Sequence, residues 1–273
     1  HKATLAVIFI VALFASSAVA WGPEGHAVVA TIAQGLIKQK TWQAIQSING
    51  NGVSMASVAS QPDDYDHTAN GRWSAPLHYV DMPAGSTHFG DNQADCPNQV
   101  CVVGAIKNFT TQAAKLPHSL WPYSSSSSQP SPVTFLIHFV GDVHQPLHVG
   151  WTSDRGGNTV KCTFFGRSTE LHAVWDSGII YHSGEDTNTL ATNLLAYIHN
   201  NPNIVSGWAA QTSVSAWADE SFQFVRNNVY QFGAAASTMH LGEDYYNANW
   251  PIVQQRLAMG GVRLAALLDM IFQ

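Results

Sequence analysis

Residues 132–148 read PVTFLIHFVGDVHQPLH. A serine before a proline is a good helix start: Ser131 as N-cap and Pro132 at the first helical position. The segment then runs apolar nearly all round, through Val133, Phe135, Leu136, Ile137, Phe139, Val140 and Val143, which is the pattern of a buried helix. The helix should stop by Pro146. His138 and Asp142 are four apart and share one face of it. A buried carboxylate is costly unless it is paired, hydrogen-bonded or bound to a metal. One such pair alone would fit a local hydrogen bond in a core.

The pair has company. LHAVWD repeats the spacing with His172 and Asp176. His148 follows the first helix just past Pro146, and LHYVD supplies His78. QPDDYD offers Asp63 or Asp64, and WGPEGH offers His26. Imidazoles and carboxylates without paired cysteines are a hydrolytic zinc set rather than a structural zinc finger.

Other segments read as helices too. Gly25–Ile37, Val100–Leu116, Thr187–Asn200, Ala216–Tyr230 and Asn249–Phe272 carry apolar residues at helical spacing. Alternation in NTVKCTFFG (158–166) predicts a short strand, and YSSSSSQPSP (123–132) a surface loop. The class is mainly α, in a single domain over 21–273, since no repeat or composition shift divides the chain.

Hydrophobic residues make up 45% and charged residues 11% of the 273, which excludes a disordered chain. The net charge of −6 argues against a broad duplex-DNA footprint, which needs a basic face. It does not exclude a nucleic acid whose phosphates meet metal ions. Residues 1–20 carry Lys2, an apolar run over about 5–14, and the small-residue ending Ala18-Val19-Ala20. They are expected to be a signal peptide rather than a membrane anchor, giving a mature chain from Trp21 that is secreted or vacuolar. Cys96 and Cys101 bracket a loop that a disulfide could close, and Cys162 reads as a buried free thiol. Asn108-Phe109-Thr110 is an acceptor sequon for glycosylation.

With these motifs in order, the chain resembles the zinc-dependent single-strand nucleases of the S1/P1 type, with 3′-nucleotidase activity. HFVGDVHQPLHVG, DRGGNTVK and LHAVWDSGII are close to the plant forms. The resemblance spans Trp21 to the last helix. It implies a helical bundle of the phospholipase C / S1-P1 nuclease type that binds three zinc ions. One ion would take Asp63, His78 and His138, with Asp142 as a bridge. The second would share Asp142 and take His26 plus the free amino nitrogen and carbonyl oxygen of Trp21. The third would take His148, His172 and Asp176. The gap to His78 favours Asp63 over Asp64. Asp63 and Asp142 would be the catalytic carboxylates, acting with a water activated between two ions, as in other two-metal sites. Tyr79 matches a family aromatic that stacks on a base, and a base held in a duplex cannot reach such a ring. Asp81 and Asn158 match positions near the base and substrate. Cys96–Cys101 matches a family disulfide, and the Asn108 sequon also falls at a family position. The implied substrates are single-stranded RNA and DNA and 3′-nucleotides, cut to 5′-phosphate products by a monomer.

One departure stands out. The family usually has a basic residue three after the first aspartate, where this chain has Asp66. Arg72, Arg155 and Lys161 are the basic residues left to stand in. His144 matches no family ligand. A zinc phospholipase C and a non-catalytic zinc-binding relative are the competing readings.

Overall fold

The computed structural model describes residues 21–90, 93–115, 129–232 and 239–273. The expected signal peptide, Leu116, and the serine run at 124–128 lie outside them. In chain order the helices begin with α1 (Pro23–Leu36), α2 (Gln39–Asn49), α3 (Met55–Val58) and α4 (Gln61–Asp66). They continue with α5 (Val102–Ala114), α6 (Pro132–His144), α7 (Leu171–Ala173), α8 (Ile179–His182) and α9 (Thr187–Asn200). The last are α10 (Pro202–Ala210), α11 (Val214–Phe224) and α12 (Glu243–Ile271). Single turns of 3₁₀ helix link several of them. The short strands are β1 (Val80–Met82), β2 (Val149–Trp151), β3 (Lys161–Phe164), β4 (Arg167–Glu170) and β5 (His240–Leu241). The mainly α class holds.

At the centre is α6. Its start follows the sequence signals: the Ser131 hydroxyl accepts the Thr134 N–H at 3.0 Å, and Pro132 opens the first turn. All thirteen of its residues are buried. Phe135 stacks on Phe109 of α5 at 4.5 Å and on Phe139 at 5.4 Å. α1, α4, α11 and α12 pack on its other sides. The helix ends where Gln145 turns extended (φ −81°, ψ 117°), as the residue before a proline must. Pro146–His148 then makes one 3₁₀ turn and leads straight into β2.

β2 pairs in parallel with β1, Asp81 opposite Gly150. That pairing brings the chain after His78 beside the chain after His148. β3 pairs antiparallel with β4 and parallel with β5, so the predicted strand is one member of a three-stranded sheet. Ala216–Tyr230 is helical to Val229, but it begins earlier, at Val214, and loosens into a π turn over Val225–Val229. Cys96 and Cys101 form the disulfide, and Cys162 is a buried free thiol whose pKa burial pushes up to about 11. Asn108 lies exposed on α5.

Candidate metal centre

Each expected ligand arrives on a different element. His26 comes from the first turn of α1, Asp63 from α4, and His78 from the step between the Arg72–Leu77 3₁₀ turn and β1. His138 and Asp142 come from α6, and His148 from the turn after it. His172 sits in α7, and Asp176 in the π turn Val174–Gly178 that continues it. An inserted π turn is a common way to aim a functional side chain. His26 reaches α6 because residue 141 is glycine: a Cβ there would stand 2.7 Å from the His26 Nδ1.

Three buried groups of donors result: Asp63, His78 and His138; His26, His138 and Asp142; and His148, His172 and Asp176. In the first, the His138 Nε2 faces the His78 Nδ1 at 3.0 Å, the Asp63 Oδ1 at 3.1 Å and the Asp142 Oδ2 at 3.3 Å. The His78 Nδ1 is 3.2 Å from the same Asp142 oxygen and 3.5 Å from the Asp63 Oδ1. The other Asp142 oxygen, Oδ1, faces the His26 Nε2 at 3.2 Å. Asp142 therefore turns one oxygen to each of two groups. In the third group the Nε2 atoms of His148 and His172 are 3.2 Å apart, and the Asp176 Oδ2 is 3.3 Å from the His172 Nε2. Donors bound to zinc at about 2.0–2.1 Å in a tetrahedron stand about 3.3 Å apart, so these spacings match that geometry.

The backbone fixes which ring nitrogens face inward. The His138 Nδ1 donates to the Ala59 carbonyl at 2.7 Å, the His148 Nδ1 to the His78 carbonyl at 2.7 Å, and the His172 Nδ1 to the Gly156 carbonyl at 2.6 Å. A carbonyl only accepts, so each neutral ring carries its hydrogen on Nδ1 and presents a lone pair at Nε2. Lone pairs facing one another and carboxylates at these distances call for a cation. Both oxygens of Asp142, Oδ2 of Asp63, Nε2 of His78 and both ring nitrogens of His26 are buried without a hydrogen-bond partner. Native proteins leave few such atoms orphaned, and an ion is one standard explanation.

Burial favours the neutral form of two of the rings, whereas the carboxylates favour a proton on His138. Burial, aided by the nearby His138, brings the His26 pKa down to about 4, so the ring is neutral and able to bind metal. Burial also lowers His148. Burial opposes charge on His138, but the Asp142 and Asp63 carboxylates overcome it and hold its pKa well above the ordinary value. The converse holds for Asp142, which burial would raise and the histidines, His138 foremost, pull well down. Burial raises Asp176 well above the carboxylate range, against the lowering effect of Gln145.

Asp63, not Asp64, faces the histidines; Asp64 is exposed. Trp21 is fully buried beside Gly25 and Gly141, and the next residue, Gly22, donates its N–H to the Asp176 carbonyl at 2.9 Å. Tyr79 and Asp81 occupy the β1 side, Tyr79 partly buried and Asp81 exposed. Asn158 sits on the loop between β2 and β3, its amide donating to the Arg155 carbonyl at 2.8 Å. His144 stays out of every group. Its Nδ1 donates to the Val140 carbonyl at 2.7 Å, and its Nε2 receives Arg263 at 3.0 Å. Asp66 borders the site, with one oxygen 2.6 Å from the His67 Nδ1 and the other 3.9 Å from the His78 Nε2.

Gln145 is a site residue that the sequence reading passed over. Its amide donates to the Asp176 Oδ1 at 2.5 Å, and its carbonyl oxygen accepts the Leu147 N–H at 2.6 Å, so it ties the third group to the turn carrying His148. The only signal was its place between His144 and Pro146. Gln145→Ala should weaken metal retention or activity by about 10–100-fold, the usual cost of losing an outer partner. Zinc titration against a competing chelator checks this, and an unchanged affinity would show that Asp176 needs no such support.

A sequence model described as S1/P1 Nuclease matches residues 21–273. The chain is 35% identical to Endonuclease 4 of Arabidopsis thaliana, over 97% of this chain and 93% of that protein. It is 32% identical to Nuclease P1 of Penicillium citrinum, covering 92% and 97% of the two chains. With Nuclease S1 of Aspergillus oryzae it shares 30% identity over 92% and 91%.

Proposed function

Because the chain belongs to the S1/P1 nuclease family, we propose that it is a zinc-dependent phosphodiesterase. It cuts single-stranded RNA and DNA to 5′-phosphate products and takes the phosphate from 3′-nucleotides. The observation that carries this reading is Asp142, fully buried, with each oxygen turned to a different histidine group and neither hydrogen-bonded. The donor set suits zinc: Asp63, His78, His138 and one Asp142 oxygen for one ion; His26, the other Asp142 oxygen and the Trp21 amino nitrogen and carbonyl oxygen for a second; His148, His172 and Asp176 for a third. Zinc supplies Lewis acidity, lowering the pKa of water toward neutrality and drawing charge from a phosphoryl oxygen.

The chain's own groups do the rest. Asp142 would hold two metal positions, one at each oxygen, and Asp63 would complete the first. Three carboxylates set against three divalent ions leave the centre positive, so a protein of net charge −6 can draw in a polyanion. Tyr79 offers a ring on which an unpaired base can stack, a contact worth about 1–3 kcal/mol that is indifferent to sequence. A base inside a duplex cannot reach that ring, hence the preference for single strands. Asp81 accepts from a base N–H, and Asn158 serves the substrate beside it.

A free amine at Trp21 requires removal of residues 1–20, so a cleaved signal peptide and a secreted or vacuolar protein belong to this proposal. The burial of Trp21 beside His26 supports it. No helix among the described residues is long and apolar enough to cross a membrane. The exposed Asn108 is the proposed glycan site.

The test uses protein beginning at Trp21. Metal analysis should return three zincs per chain, and the protein should hydrolyse single-stranded DNA, RNA and 3′-AMP while sparing lecithin. Three zincs with all three nucleotide substrates intact would end this reading. Hydrolysis of lecithin instead would point to a phospholipase C, and fewer zincs with no hydrolysis at all to a non-catalytic relative.

A further inference from the structure

The geometry points to Arg155 as a substrate-binding residue: its guanidinium takes a backbone phosphate of a single-stranded chain, next to the nucleotide whose base lies on Tyr79. This rests on the nuclease reading and adds to it a second anion contact outside the metal centre.

The first observation is conformational. Arg155 is held in the left-handed region (φ 57°, ψ 49°), which a residue with a Cβ rarely adopts and glycine adopts freely. Gly156 (φ 60°) and Gly157 (φ 83°) follow in the same region. Local bonds enforce the turn. The Arg155 N–H reaches the Thr152 carbonyl at 3.2 Å, and its own carbonyl accepts both the backbone N–H and the side-chain amide of Asn158, at 3.3 and 2.8 Å. An unfavourable backbone held by its surroundings is a reason to ask what the side chain does.

The second observation is position. The Gly156 carbonyl fixes His172 at 2.6 Å, so one neighbour of Arg155 belongs to the third metal group. Gly156 also packs so close to Gly150 that a Cβ on Gly150 would stand 2.6 Å from the Gly156 Cα. Gly150 pairs with Asp81 across the two strands. The arginine thus stands where the third donor group meets the Tyr79–Asp81 edge. Burial raises the pKa of both Tyr79 and Asp81, and the Arg155 charge opposes this at each of them.

The third observation is availability. The Arg155 side chain is exposed, and among the described residues its guanidinium makes no hydrogen bond or ion pair. Four other cations are already engaged. Lys161 pairs with Glu170 at 2.7 Å, Arg226 donates to the Thr87 carbonyl at 2.9 Å, and Arg256 and Arg263 are buried on Glu220. On the His78 side the chain presents Asp66, an anion. A planar fork of donors with no partner, near enough for its charge to act on Tyr79 and Asp81, is suited to phosphate.

Arg155→Gln and Arg155→Lys are compared with the unsubstituted protein on a short thymidine oligonucleotide and on 3′-AMP, across a range of salt. For Arg155→Gln, KM on the oligonucleotide should rise about tenfold, as for loss of one charged hydrogen bond, with kcat within about twofold. The plot of log(kcat/KM) against log[salt] should become shallower by about 0.7, the contribution of one phosphate contact on a single strand. Hydrolysis of 3′-AMP, which has no second phosphate, should change less than about twofold. Arg155→Lys should restore the salt slope. An unchanged slope overturns the assignment. So does an equal loss on both substrates, or a loss of bound zinc, which would make Arg155 a prop of the His172 loop. Unsubstituted protein that cuts no oligonucleotide would instead sink the nuclease reading on which the assignment rests.

Discussion

Asp142→Asn is expected to lower hydrolysis of single-stranded DNA by about 10³-fold or more and to reduce bound zinc from three ions to one. The substitution keeps the shape of the side chain and removes only its charge and one acceptor. That is enough because both oxygens are committed, Oδ1 toward His26 at 3.2 Å and Oδ2 toward His78 and His138 at 3.2 and 3.3 Å. An amide has a single acceptor oxygen and cannot serve both sides. Whichever way it turns, an NH₂ group points at a ring nitrogen that should meet a cation. Metal ions contribute several kcal/mol of charge stabilisation to phosphoryl transfer, and each 1.36 kcal/mol is tenfold in rate, hence the size of the loss. The third group shares no atom with Asp142, so His148, His172 and Asp176 should keep their ion. Asp176→Asn is the matching control, expected to lose one zinc and keep two. Metal analysis alongside initial rates decides it. An Asp142→Asn protein that retains three zincs would show that the carboxylate does not bridge.

The contrast between Asp142 and Gln145 shows what a sequence can reveal here. Asp142 was legible because an acid in an all-apolar helix, one helical turn from a histidine, is costly without a special partner. His172 and Asp176 were legible by the same spacing. The pairing of these groups across the fold was not read from spacing; it came through resemblance, and so did the choice of Asp63 over Asp64. Gln145 escaped because a neutral amide at the end of a helix carries no energetic oddity. Its importance lies in one contact to Asp176, thirty-one residues on. The carbonyls of Ala59, His78 and Gly156 that orient the rings could not have been found at all, since every residue has one. Among the elements, the long helices with apolar stripes were predicted near their true bounds, except that α12 begins at Glu243, before the predicted Asn249. α2, α10 and the short α3, α4 and α8 were missed, as were the pairings of β1, β2, β4 and β5. Strands of two to four residues are too short to show alternation, and their pairing depends on distant chain segments.

Glu220→Gln should lower the melting temperature by about 6–12 °C. Arg256 and Arg263, both buried on α12, share this one carboxylate. Arg263 grips it with two nitrogens, at 2.6 and 2.8 Å, and Arg256 adds a third contact at 3.1 Å. Burial brings the Arg256 pKa down to about 10, so it still carries its charge at neutral pH. Removing one partner of a buried ion pair costs about 3–5 kcal/mol, because the other is left uncompensated. Glu220 is itself about a third exposed, so the lower figure applies. At about 2–4 °C per kcal/mol for a chain of this size, the stated range follows. The damage should reach the metal centre as well, because the same arginines hold the end of α6. Arg256 donates to the His144 carbonyl at 3.1 Å and to the Ser221 hydroxyl at 2.6 Å, and Ser221 in turn donates to the Val143 carbonyl at 2.5 Å. That is the point where the chain leaves α6 for Gln145 and His148. The pH dependence has a definite sign. Burial would raise the Glu220 pKa, but hydrogen bonds from Arg263 and the charge of Arg256 bring it below its ordinary 4.5. A depressed carboxylate contributes its stability in full above the unfolded value and loses it as pH falls through the folded one. The gap in melting temperature between the two proteins should therefore be constant near neutrality and close progressively below about pH 4.5. Calorimetry with zinc in excess measures both. A gap of under about 2 °C at pH 7 would show that the two arginines are stabilised by their carbonyl partners and not by Glu220.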